Sequence, residues 1–127
     1  MTDCRLTINS QGNGWKNDVV CPARLEVGEG TARIVYQLEG DDCSFSFSNG
    51  RAEQVRKGGV NVRISFVQGS KTVCVLGDEN LRGGYGVFTQ KLSCVVKPHG
   101  VTAVIEYLSG DDREKITVKL RAIALHI

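Results

Sequence analysis

Two prolines, aromatic residues at 6% and no paired cysteine motif deprive this 127-residue chain of several common signposts. With so little proline and no long polar tract, a disordered arm is not expected. No apolar run reaches the length that crosses a membrane as a helix. The five cysteines, Cys4, Cys21, Cys43, Cys74 and Cys94, lie too far apart for a zinc knuckle or a CxxC redox pair. Their odd number and the absence of a signal-peptide pattern lead us to expect a reducing cytoplasm, with thiols serving as small hydrophobes. Neither charge sign dominates: 16 basic against 14 acidic residues leave a formal net charge of +2. Nucleic-acid modules are usually more basic, so nucleic acid is not an expected partner.

Helical periodicity is also missing. The chain offers short β-prone runs with period two, separated by glycine-centred turns. Val60, Val62, Ile64 and Phe66 alternate with Asn61, Arg63 and Ser65. Ala32, Ile34, Tyr36 and Leu38 share one face of another run, and Ile116, Val118, Leu120, Ala122 and Ala124 share one face of the last. Pro22 interrupts a ladder and belongs at an edge or bulge. Gln11 to Gly14 lies in a loose segment, Asn9 to Asn17, read as a rim loop.

Asn49-Gly50 is the strongest local signal, because both residues tolerate the positive φ of a type I′ hairpin turn. Gly58-Gly59 and Gly69-Ser70 offer two further tight turns. A two-residue turn at Gly69-Ser70 sets Phe66 opposite Val73 and Ile64 opposite Val75, on one face. The other two turns conflict. Asn49-Gly50 pairs Phe47 with Ala52 and carries Arg56 to the phenylalanine face, whereas Gly58-Gly59 pairs Val55 with Val62. A bulge between Ala52 and Arg56 would reconcile them. The sequence as a whole predicts one all-β domain over residues 1–127. Its architecture is an antiparallel up-and-down meander of eight to ten strands, closed into a barrel to remove its edges.

Tyr36-Gln37, Arg56-Lys57-Gly58, Phe66 with Gly69, the run Tyr85-Gly86-Val87-Phe88-Thr89-Gln90-Lys91-Leu92, and Tyr107 resemble the YwiB-like proteins. These are small bacterial cytoplasmic proteins with a calycin, or lipocalin-like, barrel. The resemblance spans about two-thirds of the chain and departs at Gln11 to Gly14 and Cys21-Pro22. It implies the barrel and supplies no active-site residue.

No nucleophile elbow, metal cluster or P-loop is assembled: Gly83-Gly84-Tyr85-Gly86 lacks the Lys-Ser/Thr ending. His99 reads as a solvated turn residue, and Asp41-Asp42 and Asp111-Asp112 read as turn residues. No catalytic residue, metal or cofactor is implied, and catalysis stays open. The expected function is binding of a small, partly apolar ligand, with or without an anionic group, in or at the mouth of the barrel. The alternative is a structural or interaction module, such as a homodimer, using an outer sheet face around a packed interior. Candidate ligand contacts are Arg56, whose guanidinium needs an anion or carbonyls if it points inward. Tyr36, Tyr85 and Tyr107 could line a mouth, and Trp15 could plug one end or meet a partner.

Overall fold

Period-two alternation resolves into ten antiparallel strands in the computed structural model, which describes residues 1–59, 61–77 and 82–125. They are β1 (Thr2–Gly12), β2 (Trp15–Gly28), β3 (Thr31–Leu38), β4 (Asp41–Ser48) and β5 (Arg51–Lys57), then β6 (Val62–Val67), β7 (Lys71–Gly77), β8 (Arg82–Lys97), β9 (Gly100–Ser109) and β10 (Glu114–Ala124). Each strand pairs with its sequence neighbour, and β1 also pairs with β10, closing the barrel. Small residues make the seam: Cys4 meets Ala124 and Leu6 meets Ala122, all four buried. Closure is the sheet's answer to its own edges.

Inward residues fill the cross-section. Leu6, Ile34, Phe45, Phe66, Val87 and Ile105 are fully buried. Tyr36, Phe45 and Phe47 form an aromatic column down one wall, with ring centroids 6.3 and 6.0 Å apart and nearly parallel planes. Phe66 meets Tyr107 at 5.0 Å in a tilted arrangement. Cys4, Cys43 and Cys74 are buried and Cys21 and Cys94 half-buried, all free thiols. Burial pushes each thiol above its ordinary range, which lowers its reactivity.

Because the sheet is a meander, its turns alternate between two ends. The β1–β2, β3–β4, β5–β6 and β9–β10 turns lie at one, here the Arg56 end. The β2–β3, β4–β5, β6–β7 and β8–β9 turns lie at the other with the start of β1, here the terminal end. Asn49 and Gly50 take φ of 35° and 74°, the expected type I′ signature. Glu39 and Gly40 take 52° and 83°, so the same geometry recurs there without an asparagine.

Four local expectations are corrected. The ladder of β5 is unbroken, with Arg56 opposite both Cys43 and Val62, so no bulge lies between Ala52 and Arg56. The conflict disappears because Gly58-Gly59 is part of a wider loop, in which the Gly58 N–H donates to Asn61 Oδ1 at 3.0 Å. The bulge sits instead between Thr89 and Lys91. At the β6–β7 turn, Ser70 N–H closes on Val67 O at 3.0 Å, while Gln68 and Gly69 donate to Gly50 O and Thr89 O. Holding three residues in that turn shifts the register by one. Cys74, not Val73 or Val75, then faces Ile64, and Val73 is 59% exposed.

Asn9 to Asn17 is no loose loop: β1 and β2 continue through it to a tight turn at Asn13-Gly14. Gly83, Gly84 and Gly86 lie inside β8, and a Cβ on Gly84 would come 2.5 Å from Cys74 O. Close approach of β7 and β8 requires glycine there. Val60, Asp78–Leu81 and His126 lie outside the described residues.

Two strands overshoot a neighbour. β2 pairs with β3 only from Ala23 onward, and β8 pairs with β7 only up to Phe88. Pro22 therefore sits where β2 has no β3 partner, as an edge proline should.

Candidate functional site

All five candidate side chains belong to the Arg56 end, near the strand termini that meet there. Their environments differ. Arg56 has the inward parity of Ala52 and Cys43, so the continuous ladder does deliver its guanidinium to the inner face. There its Nε donates to Asp41 Oδ2 at 2.8 Å, and its Nη2 lies 3.5 Å from Glu39 Oε2. Asp41 is only 6% exposed, and its Oδ1 accepts the Gly59 N–H at 2.8 Å. A Cβ on Gly58 would fall 2.1 Å from that oxygen, so the loop can wrap the carboxylate only with glycine at this position. The hydrogen bond to Asp41 strengthens protonation of a guanidinium that is already always charged.

Tyr36 and Tyr107 are buried within the core, and burial raises both phenol pKa values strongly. Tyr85 is half-buried; desolvation, then contact with the Cys74 thiol, pushes its phenol up to about 12, while Ser109 opposes the shift. Trp15 is 39% exposed. Its indole N–H donates to Glu114 Oε2 at 3.0 Å, and the Asn13 N–H donates to the same oxygen at 2.9 Å. The ring lies across Gly12, where a Cβ would be 2.5 Å from the indole nitrogen. Trp15 thus ties the β1–β2 hairpin tip to β10. The structure brings Arg56 and Tyr36 together around Cys43, and Tyr85 and Tyr107 together near Cys74, as two separate groups.

Asp41 was invisible as a site residue. Beside Asp42 after a glycine it reads as turn polarity, and only the tertiary position of Arg56 reveals its role.

The terminal end is built differently. A concavity of about 980 Å³ opens between the β4–β5 hairpin and β8. Val27, Phe47, Leu92, Cys94 and Val96 supply its apolar surface; Arg51 and Lys97 supply cations at its rim. The bulge makes this possible, because it restores inward parity at Leu92 after Thr89 and lets β8 run on to Lys97. Gln68 marks the lower border. Its N–H donates to Gly50 O at 3.4 Å and its Oε1 accepts the Leu92 N–H at 3.2 Å. None of the five candidate residues lines this concavity. A second groove of about 510 Å³ crosses the outer face of β2–β6, between Glu26, Arg33, Arg51 and Glu53.

Among the described residues no group of histidine, cysteine and carboxylate side chains could hold a metal. Nor is any helix among them long and apolar enough to cross a membrane.

The architecture defines a closed, ten-stranded, up-and-down antiparallel barrel with one tied end and one notched end. In fold the chain is similar to the crystal structure of the YwiB protein from Bacillus subtilis. The TM-score is 0.82 at 14% sequence identity, covering 97% of this chain and 92% of that one. No family model matches the chain, and no curated protein matches it.

Proposed function

We propose that this chain is a YwiB-like, calycin-type cytoplasmic barrel that binds a small, partly apolar, anionic ligand without catalysing a reaction. The reading rests on the terminal-end concavity, where an apolar floor lies beside the cations of Arg51 and Lys97. That volume matches a small-molecule site, in which apolar contacts supply affinity and a few polar groups fix orientation. Among the described residues neither cation is held by an ion pair, so an incoming anion has no carboxylate of that set to displace. Arg56, with Tyr36, Tyr85, Tyr107 and Trp15, marks a second candidate end, but its guanidinium already has two carboxylates. An anion there would have to compete with Asp41.

The test uses 1-anilinonaphthalene-8-sulfonate, a fluorescent probe with both required features, followed by native mass spectrometry of freshly purified protein. Saturable fluorescence enhancement that Arg51→Glu weakens and Arg56→Gln leaves intact supports the terminal-end mouth. Enhancement lost only in Arg56→Gln moves the site to the other end, and no enhancement removes the ligand reading.

An outer-face interaction role has its own observation. Val95 is 54% and Ile123 41% exposed, and both border a shallow groove with Pro98. A homodimer through that face predicts a doubled mass in light scattering that Val95→Lys halves.

A further inference from the structure

The wall of the terminal-end mouth includes a stretch of backbone with nothing beside it. β7 reaches only to Phe88, whereas β9 accompanies β8 as far as Lys97. Among the described residues no strand pairs the other edge of β8 beyond Phe88. The Leu92 N–H points to that edge, since it is captured by Gln68 Oε1. Backbone direction alternates along a strand, so the peptide groups of Cys94 and Val96 face the same way. The opposite side of the opening is the β4–β5 hairpin, Ser48 to Arg51. Among the described residues Cys94 and Val96 therefore present donors and acceptors without a strand partner at β spacing, beside an apolar floor. An open sheet edge of this kind is a template for another strand.

We propose that the free edge of β8 receives an extended acidic–apolar peptide segment of a partner protein as an added strand. This rests on reading the mouth as a binding site and names the class of its ligand. Only an extended backbone satisfies a donor and an acceptor at every second residue, and its alternate side chains would drop onto Phe47, Leu92 and Val96. Arg51 and Lys97 flank the opening, and among the described residues neither is held by an ion pair, which selects acidic residues at the remaining positions. The same charges disfavour a second copy of this chain. The two-fold register that overlaps the whole free edge centres on Cys94 and sets Lys91 against Lys97 twice, and like charges directly opposite are destabilising.

The experiment titrates a labelled peptide of alternating valine and glutamate, together with two analogues N-methylated on the valines or on the glutamates. One analogue is expected to lose about tenfold in affinity, the equivalent of one net hydrogen bond, and the other to bind like the parent. In the saturated complex the Cys94 and Val96 amides should gain about tenfold protection from hydrogen exchange, consistent with the same bond strength. Cys94→Pro, which deletes the edge donor, should weaken the peptide about tenfold, the same loss as the N-methylated analogue. Should that variant not fold, the N-methyl pair decides alone. Equal binding of both analogues to the parent, or unprotected Cys94 and Val96 amides, overturns the proposal. So does a dimer that protects those amides without peptide. A protein that binds the small probe but no peptide retains the mouth and loses the peptide; one that binds neither loses both.

Discussion

The two ends of the barrel are made of the same hairpins and finish in opposite ways. At the Arg56 end polar groups answer one another: Asp41 takes hydrogen bonds from Arg56 and Gly59, and Glu114 takes them from Trp15 and Asn13. At the terminal end the β6–β7 turn is held low by Gln68, β8 overshoots, and Arg51, Lys97, Cys94 and Val96 line the notch. Polar groups satisfied within the fold contribute to stability and specificity of packing. Groups left open at a concave surface are available to a ligand. Where charge lies in such a barrel says less than whether the charge is already spoken for.

The largest effect that sharpens this contrast is expected from Asp41→Ala. It strands the Gly59 N–H and leaves the Arg56 guanidinium with only the exposed Glu39, and should destabilise the fold by about 2 kcal/mol, the cost of a donor left unsatisfied in a part-buried site. Lys97→Ala, at the open rim, should change stability by less than about 0.5 kcal/mol. Urea midpoints at constant m compare the two. Equal losses would erase the distinction between the ends.

Alkaline pH attacks the same end. In the folded state the Tyr85 phenol is pushed up to about 12 from an ordinary value of 10, chiefly by burial, and Tyr36 and Tyr107 are raised as well. The folded protein thus holds these protons more tightly than the unfolded chain. Their contribution is fully present below pH 10 and is lost as pH rises through the Tyr85 value. Tyrosinate absorbance should appear together with unfolding, later than in a denatured control. Tyrosinate forming at pH 10 in a protein that stays folded would contradict the burial of this end.

Much of the barrel was legible because strand faces announce themselves by alternation. The final strand, the Thr31 to Leu38 run and the Asn49-Gly50 turn all fall where the pattern puts them. Register was less legible wherever a turn's hydrogen bonds go to distant partners. Gly69 reaches β8 and Gln68 the β4–β5 turn, and Gly59 reaches Asp41, so neither turn follows its local chemistry. The site was legible only in part. The inward direction of Arg56 follows from the Asn49-Gly50 register, but its partner Asp41 sits across a turn and looks like turn punctuation. The notch depends on where β7 stops relative to β8, which is a property of two strands and their bulge and leaves no local motif.

Reversing the rim charge is the next effect in size. Arg51→Glu with Lys97→Glu should weaken binding of anilinonaphthalene sulfonate about tenfold and flatten its salt dependence, while leaving the urea midpoint nearly unchanged. Both side chains are solvent-facing, so the expected change is in ligand attraction and not in folding. Undiminished affinity would show that the probe binds elsewhere on the barrel.

The smallest effect concerns what lies between the ends. Thr89 is fully buried just before the bulge, and its Oγ1 has no hydrogen-bond partner among the described residues, although its backbone N–H and C=O engage Ser70 and Gly69. An unmatched hydroxyl in an apolar interior costs more than it contributes, and valine keeps its shape. Thr89→Val should therefore stabilise the protein by about 1 kcal/mol. If the mouth ends at Phe47 and Leu92, probe affinity stays the same. If Thr89→Val instead weakens the probe, a ligand reaches the hydroxyl, the opening extends past Leu92 into the core, and the notch becomes the entrance to a cavity. Because Thr89 pairs across to Tyr107, such a cavity would connect the open end to the tyrosines of the tied one.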